Sequence, residues 1–431
     1  MKRLKKKIYL EHSFFSKLFD ILFPINRSIV GEGYKKSLSI LSNYIDFKLH
    51  KFPSGKRVFD WVVPMEWVIR DGFIITPKNK KICNFKKNNL HIMGYSRRVD
   101  KNYKLKELKK FLNSSSKIPT AIPYTTSYYK DNFGFNISHN EKKNLKQGTY
   151  KAYIDSYFKK GNLLIGEKVL KGSSKKDFLI SSYLCHPSMA NNELSGPLVL
   201  LGLYAKIKSW KKRRLNYRFL INPETIGSIC FLNKYKKNIK KKIIGGLVLT
   251  CLGGPKKKIS FKKTRKDNSE INKFFEYFKK LKLCELRDYT PLTGSDERQF
   301  CSPGFNLPIG QVSRTIYLQY KEYHSSLDNK KFMDIKNIQN SINSIGNFIK
   351  IFDDLNGKII RTKKYSEIFL QRYNLYKDKK NNELTKTIIY LLGHSDSGFR
   401  IIDIILKYNL QFNTVIEAIN ILKKRKLIKI F

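Results

Sequence analysis

Residues 181–200, SSYLCHPSMANNELSGPLVL, put His186 and Glu193 seven positions apart in a turn between two apolar runs, in a chain that has only seven histidines. The run ending at Leu184 reads as a buried strand and the polar stretch after it as a loop. Ser195-Gly196-Pro197 reads as a helix start, with Ser195 as the N-cap and Pro197 in the first turn. Loops at the carboxyl ends of strands in open α/β sheets are where ligands bind. A neutral imidazole from His186 and a carboxylate oxygen from Glu193 are ordinary zinc ligands, although a histidine and a carboxylate can equally do no more than satisfy their own turn.

Two more segments bring chemistry-bearing residues to loop positions. YRFLINPETIGSI ends a strand with Glu224, where partial burial would raise the carboxyl pKa and suit it to act as a general base. PLTGSDERQFCSPG sets Asp296, Glu297 and Arg298 in a Gly-Ser loop, and TIYLQYKEYHSSLDN sets His324 in a polar loop after what reads as a tyrosine-rich strand. The five other histidines, His12, His50, His91, His139 and His394, lack such a setting. Arg298, Tyr317 and Tyr320 are candidates for binding a carboxylate or stabilising an oxyanion, with plain packing as the competing reading.

The elements that must position these residues follow from periodicity. Phe14 to Leu49 predicts two helices around a loop at residues 24–33. After Pro53-Ser-Gly55 the texture is short alternating segments, a small β-rich unit ending before a lysine-rich helix near 104–112. TYKAYIDSYF and GNLLIGEKVLKG predict a hairpin. Beyond it strands and helices alternate, which argues for a mixed α/β sheet covered by helices on both faces. From about Leu384 three short amphipathic helices and a closing KLIKIF predict a winged helix, its third helix opened by a Thr414–Glu417 capping box.

The chain of 431 residues is long enough for two or three structural units, and 41% hydrophobic content is ample for burial. Its 86 basic and 34 acidic residues give a formal charge of +52. That field draws a protein toward nucleic acid or other anionic polymers, but the lysines are scattered in every region and suit solvated faces better than one binding stripe. Six separated cysteines form no CxxC pair, which excludes a zinc ribbon and favours free thiols. The basic N-terminus reads as neither a secretory signal nor a membrane span, and no apolar run reaches bilayer length, so the expectation is a cytoplasmic protein.

The series His186, Asn192-Glu193-Leu-Ser-Gly196, Pro223-Glu224-Thr-Ile-Gly-Ser228, Gly294-Ser-Asp-Glu297 and Tyr323-His324-Ser-Ser-x-Asp328 resembles the zinc aminopeptidase superfamily with co-catalytic metals. FDWVVPMEW, NNLHIMGYS, IPYTTSYY and CHPSMANNELSGP are similar to a bacterial aminopeptidase-like family with a small β-rich insertion and a C-terminal winged helix. The resemblance implies a zinc-exopeptidase-like catalytic domain at 1–55 and 126–365, an inserted domain at 56–125 and a winged helix-turn-helix domain at 366–431. It also exposes departures. Asn192-Glu193 stands where the two-zinc enzymes carry a bridging Asp-Asn, Glu224-Thr225 replaces a Glu-Glu pair, and Thr250 falls near a ligand aspartate. The expectation is therefore one zinc per chain, held by His186, His324 and a carboxylate, with Glu193 the first choice and Asp296 the second. Glu224 would be the base, with Arg298 and Tyr320 assisting, and the substrate a peptide or an amide-bearing small molecule. The other readings are a nucleic-acid-binding regulator with a ligand-sensing peptidase fold, and a catalytically silent scaffold. The oligomeric state stays open, a homo-oligomer included.

Overall fold

The computed structural model describes residues 5–376, 383–396 and 398–430. Its centre is an eight-stranded mixed sheet. In spatial order the strands are Lys48–Pro53, Asn162–Leu170, Asn216–Asn222, Asp177–Tyr183, Ile243–Leu249, Ile309–Ser313, Ser260–Lys262 and Glu285–Arg287. The four strands from Asn216–Asn222 to Ile309–Ser313 run parallel and are among the most apolar stretches of the chain. That composition is expected of strands covered on both faces. One face carries the helices Ser195–Lys208, Glu270–Lys280 and Ile335–Leu355, marked by ring contacts Tyr204–Phe219, Phe261–Phe275 and Phe178–Phe352. The other carries Ile226–Tyr235 and the short helix Glu297–Phe300.

Gly196 allows the helix after the histidine turn to lie hard against the sheet. A Cβ there would sit 2.2 Å from Ser182 Oγ and 2.5 Å from the Leu249 carbonyl oxygen. Ser195, expected as the N-cap, is already inside the helix. The chain enters through a π-helical turn at Ala190–Leu194, and the Ser195 hydroxyl donates back to the Asn191 carbonyl while accepting from Leu252 N–H at 2.8 Å.

Three other expectations change. The segments read as a hairpin are strands of different sheets: Thr149–Lys159 pairs with Glu66–Ile75 and Val99–Lys104, whereas Asn162–Leu170 pairs with Lys48–Pro53 and Asn216–Asn222. Tyr150, Ala152 and Ile154 bury on the small sheet, and that non-local burial outweighs a local turn. The small sheet thereby reaches beyond residue 125. No strand forms between Ser313 and His324, where the tyrosines sit in turns. Finally, the helix holding Val415 starts at Phe412, not at Thr414, because Phe412 buries against Tyr277 and Phe278. With Glu383–Gly393 and Ile401–Tyr408 it forms a three-helix unit whose last strand, Ile428–Ile430, pairs with Ile359–Arg361. No described helix is long and apolar enough to cross a membrane.

A buried ionic cluster ties the sheet edge together. The Glu167 carboxylate accepts from His50 Nε2 at 2.5 Å, from Tyr235 at 2.7 Å and from Arg218. Burial alone would raise this carboxyl, but the His50 hydrogen bond and the Arg218 guanidinium hold it down at about 2, against an ordinary value of 4.5. Its stabilising contribution is therefore complete above pH 4.5 and lost as the pH falls from there through about 2. We expect Glu167→Gln to destabilise the fold by about 3 kcal/mol in urea unfolding at pH 7, and the difference from wild type to shrink progressively at pH 4 and pH 3.

Candidate functional site

His186 follows the strand Asp177–Tyr183 and faces a cavity of about 320 Å³ lined by Cys185, Glu224, Thr225, His324 and a wall from residues 124–129. Glu193 is fully buried and gives both carboxylate oxygens to His186: Oε1 accepts from the backbone N–H at 2.9 Å, and Oε2 lies 2.7 Å from Nδ1. That contact fixes the ring so that Nε2 points into the cavity, 3.6 Å from Glu224 Oε2. The His324 ring stands 5.3 Å away, its Nε2 3.2 Å from Asn192 Oδ1.

Each neighbour has a local cause. Asp328, four residues after His324, caps the turn at Ala190–Leu194 by accepting from Asn191 N–H at 2.6 Å and Asn192 N–H at 2.9 Å, a favourable place for a carboxylate at a helix N-terminus. It thereby clamps the two histidine loops together. Asp296 holds the turn that presents Glu224: its oxygens accept from Thr225 N–H at 2.6 Å, Ser228 Oγ at 3.1 Å and Asn222 Nδ2 at 2.8 Å. Thr225 has φ +63°, an unusual backbone for a β-branched residue that persists only where its surroundings hold it. Ser295 Oγ donates to Glu224 Oε1 at 2.6 Å, leaving Oε2 toward His186.

Burial raises the Glu224 carboxyl, with His186 and the Ser295 hydrogen bond pulling the other way, and it lifts Asp296 to about 7, aided by Glu224. His324 is pushed down to about 3 by burial and by His186, so it is neutral, as a ligand must be. Burial disfavours charge on His186, but Cys185 and the Glu193 carboxylate raise it well above its ordinary value. Its second proton then points at Glu224, where a bound metal would take that proton's place.

The residues present fit a metal ion. The imidazoles of His186 and His324 line the cavity with the Glu224 carboxylate, and imidazole nitrogen and carboxylate oxygen are donors that zinc accepts. Next to Asn192 the network is neutral: Tyr183 Oη lies 2.5 Å from Thr250 Oγ1, and Asn192 Nδ2 donates to the same phenol at 3.0 Å. Cys185, His186 and Glu193 also lie close enough to share an ion, but Cys185 Sγ is 3.5 Å from the nitrogen that Glu193 already engages.

Of the residues singled out from the sequence, the fold brings His186, Glu193, Glu224 and His324 together and puts Asp296 directly beneath Glu224. Arg298 turns aside to the Pro291 carbonyl at 3.2 Å. Tyr320 stacks on Phe332 at 4.9 Å and reaches Asp328 at 3.4 Å, and Tyr317 is buried beside Tyr323. Sequence reasoning passed over Arg27, 1% exposed, whose Nε donates to the His186 carbonyl at 2.9 Å. It also passed over Tyr124, whose ring lies 5.0 Å from that of His186 and 5.3 Å from that of His324. The Arg27 loop between the two N-terminal helices was visible, but nothing local linked it to residue 186.

All six cysteines are buried, and burial pushes the Cys185 thiol up to about 12. A cysteine nucleophile is poorly served by this arrangement. We expect Ellman's reagent to find no rapidly reacting thiol in the native chain and all six after denaturation; fast modification of Cys185 would reopen that chemistry.

The comparisons with known proteins bear on the fold. A Clostridium acetobutylicum protein described as a "putative polysaccharide biosynthesis protein with aminopeptidase-like domain" is 37% identical over 423 residues, covering 96% of this chain and 95% of its own. The crystal structure of a peptidase described as putative, from the same organism, superimposes with a TM-score of 0.87 at 34% identity, over 97% of this chain and 96% of that one. The Bacillus subtilis zinc aminopeptidase shares the fold, with a TM-score of 0.57 at 11% identity over 80% of this chain and 95% of its own. The fold is thus aminopeptidase-like, and the chain belongs to the family described as a domain of unknown function (DUF4910), whose model spans residues 16–355.

Proposed function

We propose that the protein is a single-metal amide hydrolase of aminopeptidase type, acting on a peptide or a small amide-bearing molecule. The observation that carries this reading is the clasp of Glu193 on His186 Nδ1, which turns Nε2 toward Glu224, beside His324, in the shared cavity. A carboxylate behind a ligating histidine is the usual support of a metal site. His186 and His324 would be ligands, with Asn192 Oδ1 as the third donor and Glu193 acting through His186. Zinc, when bound there, would supply Lewis acidity that polarises an amide carbonyl and acidifies a water.

The chain's own groups do the rest. Glu224, steadied by Ser295 and raised by burial, accepts the proton of the attacking water at Oε2 and returns it to the leaving amine. Tyr124 and Tyr128, linked by a 3.1 Å hydrogen bond, wall off bulk solvent. A nucleic-acid function draws less support. Ile419 of the helix expected to read DNA is buried, and Ile416, Asn420 and Lys423 line a cavity shared with Lys350, Asp353 and Leu355, so part of that helix surface is taken up by packing within the chain.

After zinc loading, metal analysis should give one ion per chain, and a panel of aminoacyl and N-acyl amides should include a substrate. Glu224→Gln should keep the ion and lower turnover about 10²- to 10⁴-fold; no stoichiometric metal in the wild type would sink the proposal. Glu193→Ala should weaken zinc binding about 10- to 100-fold in a chelator competition, reporting the support of His186.

A further inference from the structure

The cavity at His186 shares a wall residue with a neighbouring one. Trp61 lines it and also lines a second, larger cavity of about 700 Å³, bounded by Phe59, Phe305, Lys236, Lys237 and Lys240. The helix Ile226–Tyr235 forms the common floor. Ile226 at its start lies in the first cavity, Ile229 and Leu232 lie in the second, and the lysines follow its end. Ten helical residues span about 15 Å, so the two cavities follow one another along about that length of the helix, the second a groove leading away from the catalytic end.

Two features suit the groove to a ligand. Phe59 and Trp61 remain 42% and 39% exposed on a tight hairpin, Arg57–Val62, and Phe59 is held at φ +53°, a costly backbone for a bulky residue. Tyr129 Oη donates to the Val62 carbonyl at 3.0 Å, fixing that hairpin to the wall of the first cavity. Opposite the rings, Lys236, Lys237 and Lys240 make no ion pair among the described residues, and they outnumber the one carboxylate there, Asp60. Exposed aromatic faces bind the apolar faces of rings, and unpaired ammonium groups bind anions.

Resting on the amide-hydrolase reading above, we propose that the groove holds an anionic, ring-bearing extension of the substrate, of acidic saccharide type, running from the amide at Glu224 past Trp61 to the three lysines.

Binding to the full-length protein tests this without requiring turnover. The probes are a tetramer of alternating glucuronic acid and N-acetylglucosamine, a neutral N-acetylglucosamine tetramer, and tetraglutamate. The acidic tetramer should bind at least tenfold tighter than either of the others. The triple variant Lys236→Gln, Lys237→Gln, Lys240→Gln should lose that preference, and Trp61→Ala should weaken the acidic tetramer at least fivefold. A control triple on a distant exposed surface, Lys106→Gln, Lys109→Gln, Lys110→Gln, should change affinity less than twofold. Equal losses in the two lysine triples would reduce the effect to the general field of this basic chain and overturn the proposal. So would equal affinity for the neutral tetramer or for tetraglutamate. If Glu224→Gln leaves amide turnover intact while the acidic tetramer keeps its lysine-dependent affinity, the hydrolase reading fails and the groove stands. If turnover behaves as expected and no tetramer preference exists, the groove alone fails.

Discussion

The site depends on a charge that has no access to water. The Glu193 carboxylate is enclosed under the sheet edge, and an isolated buried carboxylate would be costly. It is offset by two contacts from one residue, the N–H and the imidazole of His186, and by the Arg27 guanidinium, which grips the carbonyl of the same residue. Burial lowers the Arg27 pKa to about 10, and nearby Glu193 works against that fall, so the guanidinium stays charged at neutral pH. Position 186 is therefore bound at three of its polar groups, and its remaining nitrogen has one direction in which to point.

The other parts of the site are held by the same logic. Asp328 ties the His324 loop to the turn at Ala190–Leu194, and Asp296 holds the left-handed backbone at Thr225 that lifts Glu224 over the sheet edge. Of five carboxylates near the cavity, Glu193, Asp296 and Asp328 position backbone or imidazole groups, and Glu297 pairs with the buried Lys262 at 3.0 Å. Glu224 alone of these keeps an oxygen toward the open space. This division of labour keeps the pocket ordered: four of the acids build the frame, and Tyr183, Thr250 and Asn192 complete one side of it with neutral hydrogen bonds.

The segment around Tyr124 completes the arrangement. Tyr124 N–H donates to the His324 carbonyl at 2.8 Å and Ser326 N–H to the Ile122 carbonyl at 2.8 Å. The β-rich unit is thus stitched to the histidine loop by backbone hydrogen bonds and contributes the aromatic wall that screens Glu224.

Much of this was legible in the linear sequence because it rests on local signals. Strand-turn-helix texture located His186 and Glu224, rare histidines in polar loops marked His324, and the apolar runs marked the central parallel strands. The roles of Glu193 and Asp296 were not legible, since a carboxylate can ligate a metal or support its ligand from the same position in the chain, and only the direction of its oxygens separates the two. Nor could sequence show that residues 149–159 leave their neighbour to complete another sheet, or that Arg27 and Tyr124 meet His186 from 159 and 62 residues away. By itself the sequence determined which residues stand at strand ends, because periodicity and turn chemistry act over a few residues. The tertiary structure decided which of them share a hydrogen bond, because burial and charge pairing act across the whole chain.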